Sequence, residues 1–273
     1  MKAIVTYYSD KTGLAVTLAT LQAQTLPPEA IIVIDTSPDK SGLDIARRYN
    51  TNTTPVVVEC ARVGIYEAWN RGIEIANGSD VLIMNDDLVF PLNTVAILDL
   101  ARKNVNAYSF VPVTPGKAHY ADRVTLPFLW ESPAPVVVDD KNEYHFDYTR
   151  LTRVSWMPGF CFMLTKECIR DVGLFDTRYE VWYGDDDYQN RLFDQCFKLG
   201  KSIIEEMEKD KNSKADEFLP EAIIQVDDLH VYHFGGTSYK YKSAPVKKKI
   251  QKDLKFYKKR WPSSKPMELD VNS

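Results

Sequence analysis

Four apolar runs of strand length fall within the first 84 residues, and they restrict the chain to few architectures. Lys2–Tyr8 (KAIVTYY), Ala30–Ile34 (AIIVI), Val56–Cys60 (VVVEC) and Asp80–Met84 (DVLIM) are near-continuously apolar rather than alternating, as strands covered on both faces must be. Between them lie helical patterns at Leu14–Ala23, Leu43–Tyr49 and Gly64–Asn77. The first two are entered through polar turns, at Ser9, Asp10 and Gly13, and at Ser37, Pro38, Asp39 and Gly42. Strand alternating with helix predicts an α/β fold with a Rossmann-like, mostly parallel central sheet flanked by helices. Ligands of such sheets lie beyond the carboxyl ends of the strands. Asp35 and the triplet Asn85-Asp86-Asp87 close strands in this way and are the first candidates for a site.

The rest of the chain is less regular. Ala107–Arg153, rich in Pro and Tyr, predicts an irregular or antiparallel region laid over the first half. Trp156–Thr165 reads as a strand after Pro158-Gly159, Lys166–Val172 as a short helix, and Gln189–Leu199 as a helix preceded by Asp185-Asp186-Asp187. Glu205–Glu217 predicts a solvated excursion, Ile223–Val226 and His230–Phe234 two strands, and the C-terminal segment a helix. With 273 residues, 44% of them apolar, the chain can bury the core of one extended α/β domain or of two small ones.

Several classes of function are disfavoured. The opening MKAIVTYYSD enters a strand at once, with no apolar signal core, so a cytoplasmic location is expected. No apolar run approaches the length that spans a bilayer. Cys60, Cys161, Cys168 and Cys196 form no C-x-x-C pair, which argues for reduced thiols rather than a zinc knuckle or redox centre. The net charge of −4 is uneven: Lys240–Trp261 holds ten Lys or Arg against one acid, a local +9 that leaves −13 elsewhere. That acidic remainder would repel a phosphate backbone, and no nucleic-acid partner is expected.

Three clusters carry chemistry. Asn85-Asp86-Asp87 offers hard oxygen ligands at the end of a buried strand, suited to Mg2+ or Mn2+ completed by substrate phosphates; the plain alternative is a turn in which Asp87 caps the next helix. In Tyr183-Gly184-Asp185-Asp186-Asp187, adjacent carboxylates raise one another's pKa, as a general base working near neutrality requires. Helix capping is again the alternative, and both can hold together. His233, closing a strand before Gly235-Gly236, is placed to ligate a metal or touch a phosphate.

Taken in order, IVTYYSD, LATLQAQTLPPEAIIVIDTSPD, GIYEAWNRGIEIANGSDVLIMNDDLVF, MPGFCFMLTKECIRDVGLFDTRYEVWYGDDDYQNRL and HVYHFGG resemble the family 2 glycosyltransferases over roughly Ala3 to Trp261. The resemblance implies a GT-A fold: a nucleotide-sugar-binding half at residues 1–95, an acceptor-binding and catalytic half at 96–235, and a basic helix and tail at 236–273. It implies an inverting, metal-assisted hexosyl transfer from a nucleotide-diphospho-sugar, with Mn2+ or Mg2+ as cofactor. Thr6, Tyr8 and Asp35 would line the nucleoside pocket, Asp35 accepting from the base, with Asn70 beside the nucleotide and Arg62 on a phosphate or the base. Asn85-Asp86-Asp87 occupies the D-x-D position, so Asp87 would bind the metal and Asp86 the ribose or donor; Asn85 departs from the acidic first position. Gly159 would floor the donor sugar, His233 would complete the metal's protein ligands, and Asp185 would be the base with Asp186 as rival.

Val246, Ile250, Leu254, Tyr257 and Trp261 make the basic tail an amphipathic helix. It suits a closing helix packed on the domain, or peripheral contact with an anionic membrane at its inner face bearing a lipid-linked acceptor; a saccharide is the other acceptor class. Two rival functions are a catalytically inactive GT-A-fold binder of sugar or nucleotide and a sugar-phosphate nucleotidyltransferase, for which TYYSDKTG is a poor phosphate loop.

Overall fold

The computed structural model describes residues 1–113, 136–138, 144–146, 151–209, 219–234 and 243–264. The predicted apolar runs become β1 (Lys2–Tyr7), β2 (Ile31–Asp35), β3 (Val56–Cys60) and β4 (Val81–Asn85), all parallel and ordered β3-β2-β1-β4. Their alternate residues feed two cores. Ala3, Val5, Tyr7, Ile31 and Val33 face Leu14, Leu18 and Leu21 of α1 (Lys11–Gln22). Ile4, Ile32, Ile34 and Ile83 face Trp69 and Ile73 of α3 (Ile65–Ala76). Coverage on both faces is why these strands lack polar alternation.

The helices start and stop where local chemistry dictates. Asp10 accepts the Gly13 N–H and opens α1 three residues earlier than its apolar pattern implies. Gly64 and left-handed Asn77 (φ 50°) bracket α3, while α2 (Ser41–Arg47) fills the β2 to β3 crossover.

After β4 come β5 (Leu88–Val89), α4 (Thr94–Asn104) and β6 (Ala107–Val113). The expected irregular region thus begins with a regular buried strand. The short strands β7 (Val136–Val138) and β8 (Tyr144–Phe146) pair with each other, and β9 (Leu151–Arg153) edges the main sheet; most of the remainder of 114–150 lies outside the described residues. β10 (Cys161–Leu164), shorter than predicted, inserts antiparallel between β4 and β6. It is followed by α5 (Lys166–Val172), at its predicted bounds. β11 (Glu221–His230) lies parallel to β6, with a register shift between Val226 and His230, giving an eight-stranded order β3-β2-β1-β4-β10-β6-β11-β9.

α6 (Gly184–Lys209) is longer than predicted, and the acids 185–187 form its first turn rather than preceding it. Residues 205–209, expected in a solvated excursion, continue this helix; 210–218 lie outside the described residues. β12 (Tyr232–His233) pairs antiparallel with β5, setting His233 opposite Leu88. α7 (Ala244–Arg260) closes the fold, with Ile250 and Tyr257 in the second core and Val246, Leu254 and Trp261 packed against it. Its apolar stripe therefore faces protein, as a closing helix requires. Among the described residues no helix is long and apolar enough to cross a membrane.

Candidate active site

The strand order reverses at β1, whose neighbours are β2 and β4, and the crevice beyond such a switch point is where α/β sheets bind ligands. Thr6, in register with Asn85, stands at its floor, and its Oγ1 is buried without a hydrogen-bond partner among the described residues. The exposed Tyr8 follows, its N–H donating to Asp86 Oδ2 at 3.3 Å. Burial, and then the charge of Asp87, pushes the Asp86 carboxyl up to about 8 despite that donor. A cation nearby would lower it again.

Asp87 does not cap a helix: α4 starts only at Thr94, with Asn93 before it. Instead Thr17 Oγ1 contacts both the N–H and the carbonyl of Leu88, at 3.0 and 2.9 Å, pinning the chain after Asp87. The Phe234 N–H donates to the Asp87 carbonyl at 3.1 Å, holding β12 against β5. This brings His233 Nε2 to 3.2 Å from Asp87 Oδ1, an oxygen that is buried yet accepts no hydrogen bond among the described residues. Two ligands at right angles on a hard cation with bonds of about 2.1 Å would sit about 3 Å apart. The pair therefore fits such an ion. Among the described residues no group of three His, Cys, Asp or Glu side chains converges as a metal cage.

Phe160 stacks flat on the His233 ring, centroids 4.3 Å apart and planes 13° apart, while its carbonyl accepts the Asn85 N–H at 2.9 Å. Its neighbour Gly159 faces the other carboxylate. A Cβ built on Gly159 would lie 2.1 Å from Asp185 Oδ2, so the glycine makes room for that acid. The Tyr66 hydroxyl donates to Asp185 Oδ1 at 3.2 Å, and the Tyr66 ring lies so close to Gly184 that a Cβ there would meet it at 2.5 Å. Burial raises the Asp185 carboxyl, opposed by its own and the Asp186 N–H at the helix start and by Tyr66. Burial, then the charge of Asp185, keeps the Tyr66 hydroxyl protonated and able to donate. The segment Gly159-Phe160 thus borders Asp185 at one end and the His233–Asp87 pair at the other.

Other expected site residues are held by contacts within the chain. Asp35, 1% exposed, is turned into its own loop, accepting the Ser37 N–H at 2.9 Å, the Ser37 hydroxyl at 2.5 Å and the Leu43 N–H at 3.2 Å. These bonds close the turn after β2. The Asn70 amide is engaged at both ends by the Phe175 backbone, at 2.9 and 2.8 Å, and clips α3 to the loop before Asp185. Exposed Arg62 donates to the Pro38 carbonyl at 2.7 Å, joining the loops after β2 and β3. Asp187 is fully buried, accepting from Arg191 Nε at 3.1 Å, Trp261 Nε1 at 2.9 Å and the Tyr179 hydroxyl at 3.3 Å, with Arg260 Nη1 at 3.0 Å. Sequence reasoning passed over Tyr66 and Phe160, whose aromatic type carries no mark of the contact each makes.

The family model "Glycosyl transferase family 2" matches residues 3–157, more than half of the chain. The chain belongs to this family. A comparison with curated proteins gave no match. Among solved structures, this family 2 chain is similar to GalNAc-T7 with UDP, GalNAc and Mn2+, at a TM-score of 0.60 and 15% identity over 99% of this chain and 52% of that one. It is also similar to the mannosyltransferase PcManGT from Pyrobaculum calidifontis with GDP-Man and Mn2+, at 0.57 and 16% over 97% and 65%. S. aureus TarS 1-349 aligns at 0.51 and 16% over 85% and 59%. The chain spans between half and two-thirds of the length of these three structures, and at such identity the likeness establishes the GT-A fold.

Proposed function

We propose that this family 2 chain transfers a sugar from a nucleoside-diphospho-sugar to an acceptor hydroxyl with inversion. The observation that carries the reading is the Gly159-Phe160 segment, which meets the Asp185 carboxylate at one residue and, at the next, the His233 ring that pairs with Asp87. Thr6, Tyr8 and Arg62 edge the crevice where a nucleoside would lie, and Asp86 would face its ribose or the donor.

Asp87 Oδ1 and His233 Nε2 would hold Mn2+ or Mg2+. Such a cation, when bound, stabilises charge on a departing diphosphate. Asp185 accepts the proton of the acceptor hydroxyl as its oxygen attacks the anomeric carbon and the bond to the diphosphate breaks. Its raised affinity for protons suits that task, and Tyr66 fixes which oxygen is held and leaves Oδ2 as the base. A single displacement inverts the anomeric carbon. Saccharide and lipid-linked acceptors both meet this chemistry; contact with an anionic membrane would fall to the lysines of α7 alone, because the stripe behind them is covered.

The test is hydrolysis of UDP-, GDP- and dTDP-sugars with and without Mn2+, which needs no acceptor, followed by Asp185→Asn and Asp186→Asn on the donor turned over fastest. We expect Mn2+-dependent hydrolysis, lost in D185N and retained in D186N, with nucleoside-diphosphate binding intact in both. Turnover retained in D185N removes it from the base role. Metal-dependent nucleotide binding without any turnover would favour the inactive binder.

A further inference from the structure

The most basic segment of the chain supplies no group to the reaction proposed above, yet its one acid reaches the loop that carries Asp185. Asp253, in the middle of α7 and 1% exposed, accepts the N–H groups of three successive residues. They are Glu180 at 3.1 and 3.2 Å to its two oxygens, Val181 at 2.8 Å and Trp182 at 3.1 Å. Successive N–H groups converging on one point form an anion nest, filled here by the protein's own carboxylate. Lys249 and Lys252 pair with Glu180 on the outer side of the same loop.

Tyr183 comes next, buried and held at φ 67°, a conformation that side chains with a Cβ rarely adopt, and Gly184 and Asp185 follow. Beyond Asp185 the same helix takes hold again. Its end meets Asp187 through Arg260 and Trp261, and the Tyr257 hydroxyl accepts from Asn190 Nδ2 at 2.7 Å. One helix therefore grips the chain at 180–182 and at 187–190, on either side of the carboxylate, and the strained residue lies between the grips.

We propose that Asp253 is a positioning residue for Asp185: it holds the 180–182 backbone so that the left-handed turn at Tyr183 delivers the carboxylate beside Gly159. This rests on the reading of Asp185 as the base. A catalytic group displaced by about 1 Å loses up to about 100-fold in rate. Asp253→Asn keeps the volume but replaces an acceptor by a donor facing N–H groups.

The experiment compares D253N, Leu254→Ala and D185N by hydrolysis of the UDP- or GDP-sugar that the wild type turns over fastest with Mn2+. Binding of UDP and GDP with Mn2+ is measured by calorimetry, and Tm for each variant. For D253N we expect kcat down between about 10- and 100-fold, with nucleoside-diphosphate Kd within about twofold of wild type. L254A, which loosens the same helix without touching the nest, should lower Tm and keep kcat well below its melting range. Unchanged kcat in D253N overturns the proposal, as does an equal kcat loss in L254A, since general loosening would then suffice. If D253N does not fold, Asp253→Glu, which keeps the charge and shifts it by one methylene, carries the same criterion of kcat against Kd. Loss in D185N with full turnover in D253N defeats the positioning role alone; turnover in D185N defeats the base assignment.

Discussion

Gly159 leaves the space that Asp185 Oδ2 occupies, a Cβ at that position falling 2.1 Å from the oxygen. Gly159→Ala must therefore push the carboxylate aside or move the 157–160 loop. We expect kcat for donor hydrolysis to fall at least about tenfold, with UDP or GDP binding changed little and Tm within a few degrees of wild type. Steady-state kinetics beside calorimetry checks this; an alanine variant with normal kcat would show that the carboxylate can stand elsewhere and still work.

Phe160 sets the plane of His233, and that plane aims Nε2 at Asp87. Residues that orient a ligand typically contribute about 10- to 100-fold in metal affinity. Phe160→Ala should weaken Mn2+ binding in the presence of UDP or GDP by about tenfold, and Asp87→Ala should weaken it more. Titration of free Mn2+ by electron paramagnetic resonance reads this directly, without turnover. Equal Mn2+ affinity in wild type and D87A would end the case for a metal at this pair.

Asp187 belongs to the architecture. Removing its carboxylate leaves Arg191 and Arg260 facing a fully buried gap. Breaking one side of a buried ionic cluster costs about 3 kcal/mol or more, which for a chain of this size lowers Tm by roughly 6–10 °C. Asp187→Ala should therefore show its defect in thermal melts and release α7 from α6. An unchanged Tm accompanied by lost turnover would give Asp187 a chemical part instead.

Acid stability reports on the other end of the same contact. Arg178, foremost, and Arg260 hold the Asp176 carboxyl down from 3.8 to about 2. Because the folded value lies below the ordinary one, the stabilisation is complete above pH 4 or so and disappears as pH falls through about 2. Its size is on the order of 2 kcal/mol, less whatever solvent screens around the exposed Arg178. Denaturant melts of the wild type and Asp176→Asn between pH 2 and 6 should converge at the acid end and separate above pH 4; parallel curves would refute the pairing.

Much of the first half was legible because its determinants are local. Apolar runs such as AIIVI, short and rich in β-branched Ile and Val, favour buried strands, and Gly64 and Asn77 mark the ends of α3 by backbone preference. The same holds for α5, where Thr165 caps by accepting the Cys168 N–H. Elements fixed by distant partners were not legible. The sequence pattern places the helix start at Gln189, whereas α6 begins at Gly184, where the Tyr66 ring, over a hundred positions away, leaves no room for a Cβ. The lysines of α7 draw attention to charge, whereas the helix's reach toward the site depends on its lone acid, whose partners lie over seventy positions away.

The placement of β10 between β4 and β6 has a consequence for how the chain is made. When residues 1–113 have left the ribosome, β4 and β6 both exist in sequence, yet the strand that joins them is still unsynthesised. Until residues 161–164 arrive, the free edge of β4 in the β3-β2-β1-β4 sheet and both edges of β6, whose partners β10 and β11 are still to come, present bare backbone, and an edge of this kind pairs readily with any passing strand. Vectorial synthesis therefore completes the crevice late, and a translational pause between 113 and 161 should be the stage at which the nascent protein is most prone to aggregate.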